Sequence, residues 1–214
     1  MKKIVLLGDS IRMGYDKYVK EALSDVAEVY YPDENCRFAA NLLRFVHDWK
    51  RKGSWPDDVD LVHWNAGAWD VLKMFGEDTL STPEYYKLCI ERIDRRLRLL
   101  FPKAKMVFAT TANGVDEGYG SRIFRTNADI RRFNDIALGV LKPLGVEIND
   151  IYALTDGCKE SCRSDMTHFN TDDGRALLGG RVVSVICNAL GIDAKDVKIE
   201  NFKPEDYSAE NIGY

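Results

Sequence analysis

Two short strings in the sequence carry the residue types of nucleophilic catalysis. Gly8-Asp9-Ser10 directly follows an apolar run, Ile4 to Leu7. A serine placed where a strand hands over to a helix sits among unpaired N–H groups, and the helix dipole there favours negative charge. Such surroundings suit a hydroxyl nucleophile, because the tetrahedral intermediate it forms is an oxyanion. An N-cap role for Asp9 or Ser10 also fits the string. Near the other end of the chain stands Asp165-Met166-Thr167-His168. A serine hydroxyl needs a base, and an imidazole base needs a carboxylate to hold its tautomer. An aspartate three residues before a histidine in one loop can fold back onto Nδ1, leaving Nε2 for Ser10. The chain has three histidines. His47 falls in a helical stretch and His63 in an apolar strand, and both read as structural.

Positions 10 and 168 can meet only if the fold brings them to one edge. Short apolar runs at 3–7, 27–31, 60–64, 105–110 and 146–149 read as strands. Helical patterns cover 15–23, 38–49, 84–100 and 127–141. A last helix, capped by Asn170 or Thr171, runs to Ala189 and is closed by Gly191. Strand and helix alternate about five times. That order predicts a three-layer α/β/α sandwich around a five-stranded, mainly parallel sheet of flavodoxin-like type. In such sheets ligands bind beyond the carboxyl ends of the strands. The segments to inspect are therefore 8–14, 32–40, 65–71, 110–119 and 149–170.

Composition excludes several classes. The 214 residues carry 30 Lys and Arg against 34 Asp and Glu, a net charge of −4, which gives no support for a nucleic-acid partner. No apolar run approaches a membrane span. The N-terminal apolar run is too short for a signal peptide, so a cytoplasmic location is expected. Five cysteines, an odd number in a chain that can build its own core, argue against a disulfide scaffold. Cys158 and Cys162 lack the two further ligands a metal site needs. Residues 193–214 hold six acids and three lysines, and read as an acidic C-terminal extension to a domain spanning 1–192.

The order Gly-Asp-Ser first and Asp165-x-x-His168-Phe169-Asn170 last, with a glycine-containing helix after it, resembles the SGNH/GDSL hydrolase superfamily over about residues 3–190. The resemblance implies a serine esterase with Ser10 as nucleophile, His168 as general base and Asp165 as its orienter, acting through an acyl-enzyme. It implies two further oxyanion donors beside the Ser10 N–H. The glycine that supplies one of them in the family is missing here, where the sequence reads Glu34-Asn35-Cys36-Arg37-Phe38-Ala39-Ala40. The N–H of Cys36 is the expected donor, with Ala40 as the competitor. The family's asparagine aligns with Trp69 in Asn65-Ala66-Gly67-Ala68-Trp69-Asp70. Asn65 is expected to supply the side-chain amide instead. This block resembles a carbohydrate-esterase-like branch.

The implied substrate is a small acyl ester, most plausibly acetyl, on a sugar or glycan fragment, with Arg37 and Trp69 among the residues that contact it. No cofactor and no metal are expected, and the oligomeric state is open. A lysophospholipase- or thioesterase-like acyl hydrolase is the alternative enzyme. A non-catalytic flavodoxin-like binding module, with residues 8–14 cradling a phosphate, is the alternative outside catalysis. It leaves Asp165 and His168 without a purpose.

Overall fold

The computed structural model describes residues 1–199. In chain order its elements are β1 (Lys2–Leu7), α1 (Ser10–Ala22), β2 (Ala27–Tyr30), α2 (Ala39–Lys52), β3 (Leu61–Trp64), β4 (Lys73–Met74), α3 (Pro83–Leu100), β5 (Lys105–Ala109), β6 (Ile123–Phe124), α4 (Asn127–Leu141), β7 (Glu147–Asn149), α5 (Ile151–Thr155) and α6 (Asp172–Leu190). The main sheet has the order β2-β1-β3-β5-β7, and every pair in it is parallel.

The strands are short and almost wholly apolar, as strands buried on both faces must be. Their alternation sorts side chains to two layers. Val5, Leu7, Val62, Trp64, Met106 and Phe108 pack against α2, α3 and α4. Ile4, Leu6, Leu61, Val107 and Ala109 pack against α1 and α6. Cap chemistry sets the helix ends. Thr82 accepts from the N–H of Tyr85 before Pro83 opens α3. Thr171 accepts from the N–H of Gly174, and Gly191 ends α6 with φ +64.

The five strands and the three-layer arrangement match the sequence expectation. Three local features differ. Helix α1 starts at Ser10, not near Tyr15, because every residue from Ser10 to Asp16 is buried and shows no amphipathic stripe. The two-residue strands β4 and β6 pair antiparallel as a small side ribbon, and α5 adds one short helix after β7. The start of the expected C-terminal extension is not free: the N–H of Lys195 donates to Ala22 O, and Ala194 and Val197 pack on the α1–α6 layer. Residues 200–214 of that extension lie outside the described residues. Among the described residues, no helix is long and apolar enough to cross a membrane.

The sheet order dictates where a site can form. From β1 the chain moves first to β2 on one side, then to β3, β5 and β7 on the other. The switch point therefore lies between β1 and β3, and a crevice opens beyond their carboxyl ends. Leu7 is in register with Trp64, so Gly8 and Asn65 leave the sheet side by side.

Candidate active site

Ser10 is the first residue of α1, with Asp9 as its N-cap. Asp9 Oδ1 accepts from the N–H of Ile11 at 2.9 Å, which fixes the tight passage from strand to helix. Glycine is required at position 8: a Cβ there would collide with the side-chain oxygen of Asn65 and with Arg12. Ser10 is buried apart from a small opening, 6% exposed.

The loop before α6 brings the other two residues. Asp165 Oδ1 accepts from two backbone N–H groups, those of Thr167 at 2.7 Å and His168 at 2.8 Å. This is an aspartate turn closed by its own side chain. It leaves Oδ2 aimed at His168 Nδ1, 2.7 Å away. His168 Nε2 then lies 2.8 Å from Ser10 Oγ. The three-residue spacing between Asp165 and His168 is thus what the turn needs. Burial alone would raise the Asp165 carboxyl, but the bonds from His168 and the two N–H groups outweigh it and bring its pKa down to about 2. Asp165 therefore stays ionised at working pH. With Nδ1–H bonded to Oδ2, Nε2 can take a proton from the serine hydroxyl as that oxygen attacks a carbonyl carbon.

The loop after β2 is fastened to α1 by a buried arginine. Arg12 Nη1 pairs with Asp16 at 2.5 Å and donates to Pro32 O, while Nη2 donates to Glu34 O. This loop corrects one expectation. The N–H of Cys36 donates to Gly8 O at 3.0 Å, so it is spent on holding the loop to β1. The Cys36 thiol accepts from the N–H of Gly8 at 3.3 Å, and burial pushes its pKa up to about 11, so it is no nucleophile. The next N–H groups are also engaged: Arg37 donates to Asn35 Oδ1, and Ala39 donates to Asp70 Oδ2. The competitor Ala40 lies in the first turn of α2, where N–H groups have no acceptor within the helix. Arg37 itself is exposed and holds φ +54, the left-handed region that glycine fills most easily.

After β3, Asn65 donates its amide to Asp9 Oδ2 at 2.9 Å. It is 6% exposed and packs against the Gly8–Ser10 turn. Gly67 follows with φ +146, and a Cβ there would collide with Thr111 Oγ1. Trp69 is half-buried on the same loop. Asp70 is buried between the Ser81 hydroxyl and the Ala39 N–H, and burial raises its pKa to about 6.

Sequence reading missed the residues that brace this centre. Tyr119 meets Thr167 Oγ1 at 2.7 Å and so ties the segment after β5 to the Asp165–His168 loop. Arg125, 7% exposed, donates from Nε to Ala68 O. Nothing in a polar, glycine-containing stretch marks an arginine as buried. A crevice with room for about 10 Å3 is lined by Ile11 and Thr167, the chain neighbours of Ser10 and His168, and by Ala68, Thr111, Ala112 and Tyr119, among others.

The two other histidines stand apart from this site. His63 is buried under the α1–α6 layer, edge-on to Tyr15, with Nε2 3.1 Å from Asn149 Nδ2. Burial lowers its pKa to about 4, so it stays neutral. His47 is partly exposed on α2. Cys158 and Cys162 are free thiols beside an open groove at α5 and α6.

No protein-family model matches the sequence, and no curated protein matches it. Solved structures do. A lipase/acylhydrolase from Enterococcus faecalis superposes with a TM-score of 0.68 at 21% identity, over 92% of this chain and 100% of its own. The acetyl xylan esterase AlAXEase gives 0.65 at 17% identity, over 86% of this chain and 99% of its own. The psychrotrophic esterase EstA from Pseudoalteromonas sp. gives 0.66 at 11% identity, over 90% and 100%. The chain therefore has the α/β fold of these esterase and acylhydrolase structures.

Proposed function

We propose that the chain is a serine ester hydrolase of the SGNH type that removes small acyl groups, acetyl above all, from a carbohydrate. The observation that carries this reading is the continuous chain from Ser10 Oγ to His168 Nε2 at 2.8 Å and from His168 Nδ1 to Asp165 Oδ2 at 2.7 Å. Ser10 Oγ attacks the ester carbonyl while His168 Nε2 takes its proton. The tetrahedral intermediate collapses, the C–O bond to the alcohol breaks, and His168 returns the proton to the leaving oxygen. Water then attacks the acyl-enzyme, with His168 again taking and returning a proton, and the carboxylic acid leaves.

The acetyl preference draws support from the crevice lined by Ile11 and Thr167, the chain neighbours of Ser10 and His168, whose 10 Å3 is about the room one water needs. A methyl group fits such a space, while a long chain would have to open it. The fold shared with an acetyl xylan esterase adds support for a sugar ester. So do exposed Arg37 and half-buried Trp69, residue types that bind hydroxyls and stack on a ring, on the loops after β2 and β3. The test is labelling by a fluorophosphonate followed by turnover of one chromophore esterified with acids from acetate to palmitate. The expected result is labelling at Ser10 and a rate that falls beyond about four carbons. A rate that rises with chain length replaces this reading with a lysophospholipase- or thioesterase-like one, and absent labelling removes the enzyme reading.

Oxyanion stabilisation is assigned to the N–H of Ser10, to Asn65 and to the N–H of Ala40 in the first turn of α2. Asn65 uses one amide hydrogen on Asp9 and keeps a second. Asp9 thereby fixes the amide before reaction, which is what such a donor requires. Asn65→Ala should lower kcat by roughly 10²–10³-fold with KM little changed, because the donor acts mainly in the transition state. Trp69→Phe, which keeps the ring and loses the indole N–H, should be milder. The reverse ranking in folded variants moves the donor role to Trp69.

A further inference from the structure

Arg163 stands just before the Asp165–His168 turn and is half-buried. Among the described residues it forms an ion pair with no carboxylate. Its guanidinium lies over the Phe169 ring instead, 4.5 Å from the centroid. Nη1 donates to Asn113 O at 3.3 Å, and Nη2 donates to Asn113 Oδ1 and to Thr155 O. One side chain thus joins the two ends of the base loop, residues 163 and 169, and fixes them to the segment after β5. A guanidinium can do this because it is planar, stacks on a ring and holds several donors in one fork.

Asn113 is the anchor. It is 7% exposed, its N–H donates to Thr155 Oγ1 at 3.1 Å, and its amide NH₂ donates to Asp156 Oδ1 at 3.4 Å. Two more ties run from the same segment to the base loop. The N–H of Val115 donates to Met166 O at 3.0 Å, and the Tyr119 hydroxyl meets Thr167 Oγ1. Asn113, Gly114, Tyr119 and Thr167 are also walls of the small crevice that suits an acetyl methyl, while Arg163 is not. The docking of these two segments therefore sets two things at once: where His168 stands and how wide the crevice is.

We propose that Arg163 is a positioning residue for both. Its clamp on Asn113 and Phe169 holds the general base in place and sets the upper limit on acyl length. The roles of base and acyl crevice rest on the ester-hydrolase reading; the clamp itself does not.

Arg163→Met keeps the length of the side chain and can still cover Phe169, but it has no donor. Arg163→Lys keeps the charge without the planar fork. Steady-state rates on acetate, butyrate and hexanoate esters of one chromophore test the proposal. On acetate, Arg163→Met should lower kcat by about 10–100-fold with KM little changed, because a base displaced by about 1 Å costs rate more than binding. The ratio of hexanoate to acetate in kcat/KM should rise about tenfold, because a crevice wall no longer pinned yields to the longer chain. Arg163→Lys should fall between. An equal loss on all three esters, or no loss, in folded Arg163→Met protein overturns the proposal, since lost stability alone leaves acyl preference unchanged. Should Arg163→Met not fold, Arg163→Lys carries the same test with the same signs. Amide hydrogen exchange reads the clamp without any substrate. In the variant, the N–H groups of Val115 and Ser164, bonded to Met166 O and His168 O, should exchange about tenfold faster, while the central strands keep their wild-type rates. Unchanged exchange at both overturns the clamp. Exchange that depends on Arg163, in a protein that hydrolyses no ester and takes no fluorophosphonate, keeps the clamp and ends the ester-hydrolase reading.

Discussion

Ser10→Ala should lower ester turnover by on the order of 10⁴-fold or more while the protein stays folded. In the proposed reaction the Oγ removed is the atom that bonds to the acyl carbon. Cys36 is the nearest thiol in the neighbouring loop, but it is fully buried, receives the N–H of Gly8 and is held protonated by burial. The substitution leaves the N-cap intact, because Asp9 and not Ser10 accepts from the N–H of Ile11. Ser10 Oγ has His168 Nε2 as its partner, so alanine leaves one imidazole nitrogen facing a small void. That cost is modest, and thermal unfolding should shift little. His168→Ala should cost nearly as much in rate, and the double variant hardly more than either alone, because residues acting as one unit do not add. The measurement is steady-state hydrolysis of an acetyl ester by purified variants of verified fold. Turnover by Ser10→Ala within tenfold of wild type would remove the nucleophile from this serine and, with it, the whole proposed reaction.

What could be read from the sequence follows the range of the forces involved. The central strands were legible because each is a short apolar run bounded by turn residues. Helix α4 was legible from its periodicity, and its bounds, Asn127–Leu141, are those expected. Helix α1 was only half legible. Its first two turns are buried on all sides, so the stripe that marks a surface helix begins late. The Asp165–His168 pair could be foreseen because its geometry is local: one side chain closes a turn over three residues. The donors around Ser10 were harder because they depend on long-range pairing. Whether the N–H of Cys36 faces a substrate or Gly8 O is decided by how the loop after β2 docks on β1, and that docking is set by Arg12 reaching two carbonyls 20 and 22 residues away. Arg125 was invisible for the same reason. Its burial comes from Ala68, 57 residues earlier, and from no pattern near position 125.

The bond between Asp165 and His168 offers a sharper test than either residue alone. Asp165 Oδ1 faces two donors, the N–H groups of Thr167 and His168, and Oδ2 faces a third, the Nδ1–H of His168. Asparagine has one oxygen and one NH₂. The oxygen stays with the two backbone donors, since the turn depends on them and an NH₂ in that place would meet two N–H groups head-on. The NH₂ then points at His168 Nδ1 and donates to it. Nδ1 must accept, so the proton moves to Nε2, the atom that faces Ser10. In that tautomer Nε2 cannot take the serine proton. Asp165→Asn should therefore lower kcat by about 10⁴-fold although it changes one atom and keeps the turn. Asp165→Ala frees the tautomer but loses the turn, so it should fall no further in kcat and cost more in stability. Because the carboxyl pKa lies near 2, Asp165 is ionised in both the acid and the neutral range, and any acid limb of the wild-type rate above pH 4 comes from another group. Nitrogen NMR of His168 reads the tautomer directly: Nδ1–H in wild type, Nε2–H in Asp165→Asn. An unchanged tautomer together with a kcat within tenfold of wild type would place Asp165 outside the catalytic machinery and leave Ser10 and His168 to act as a pair.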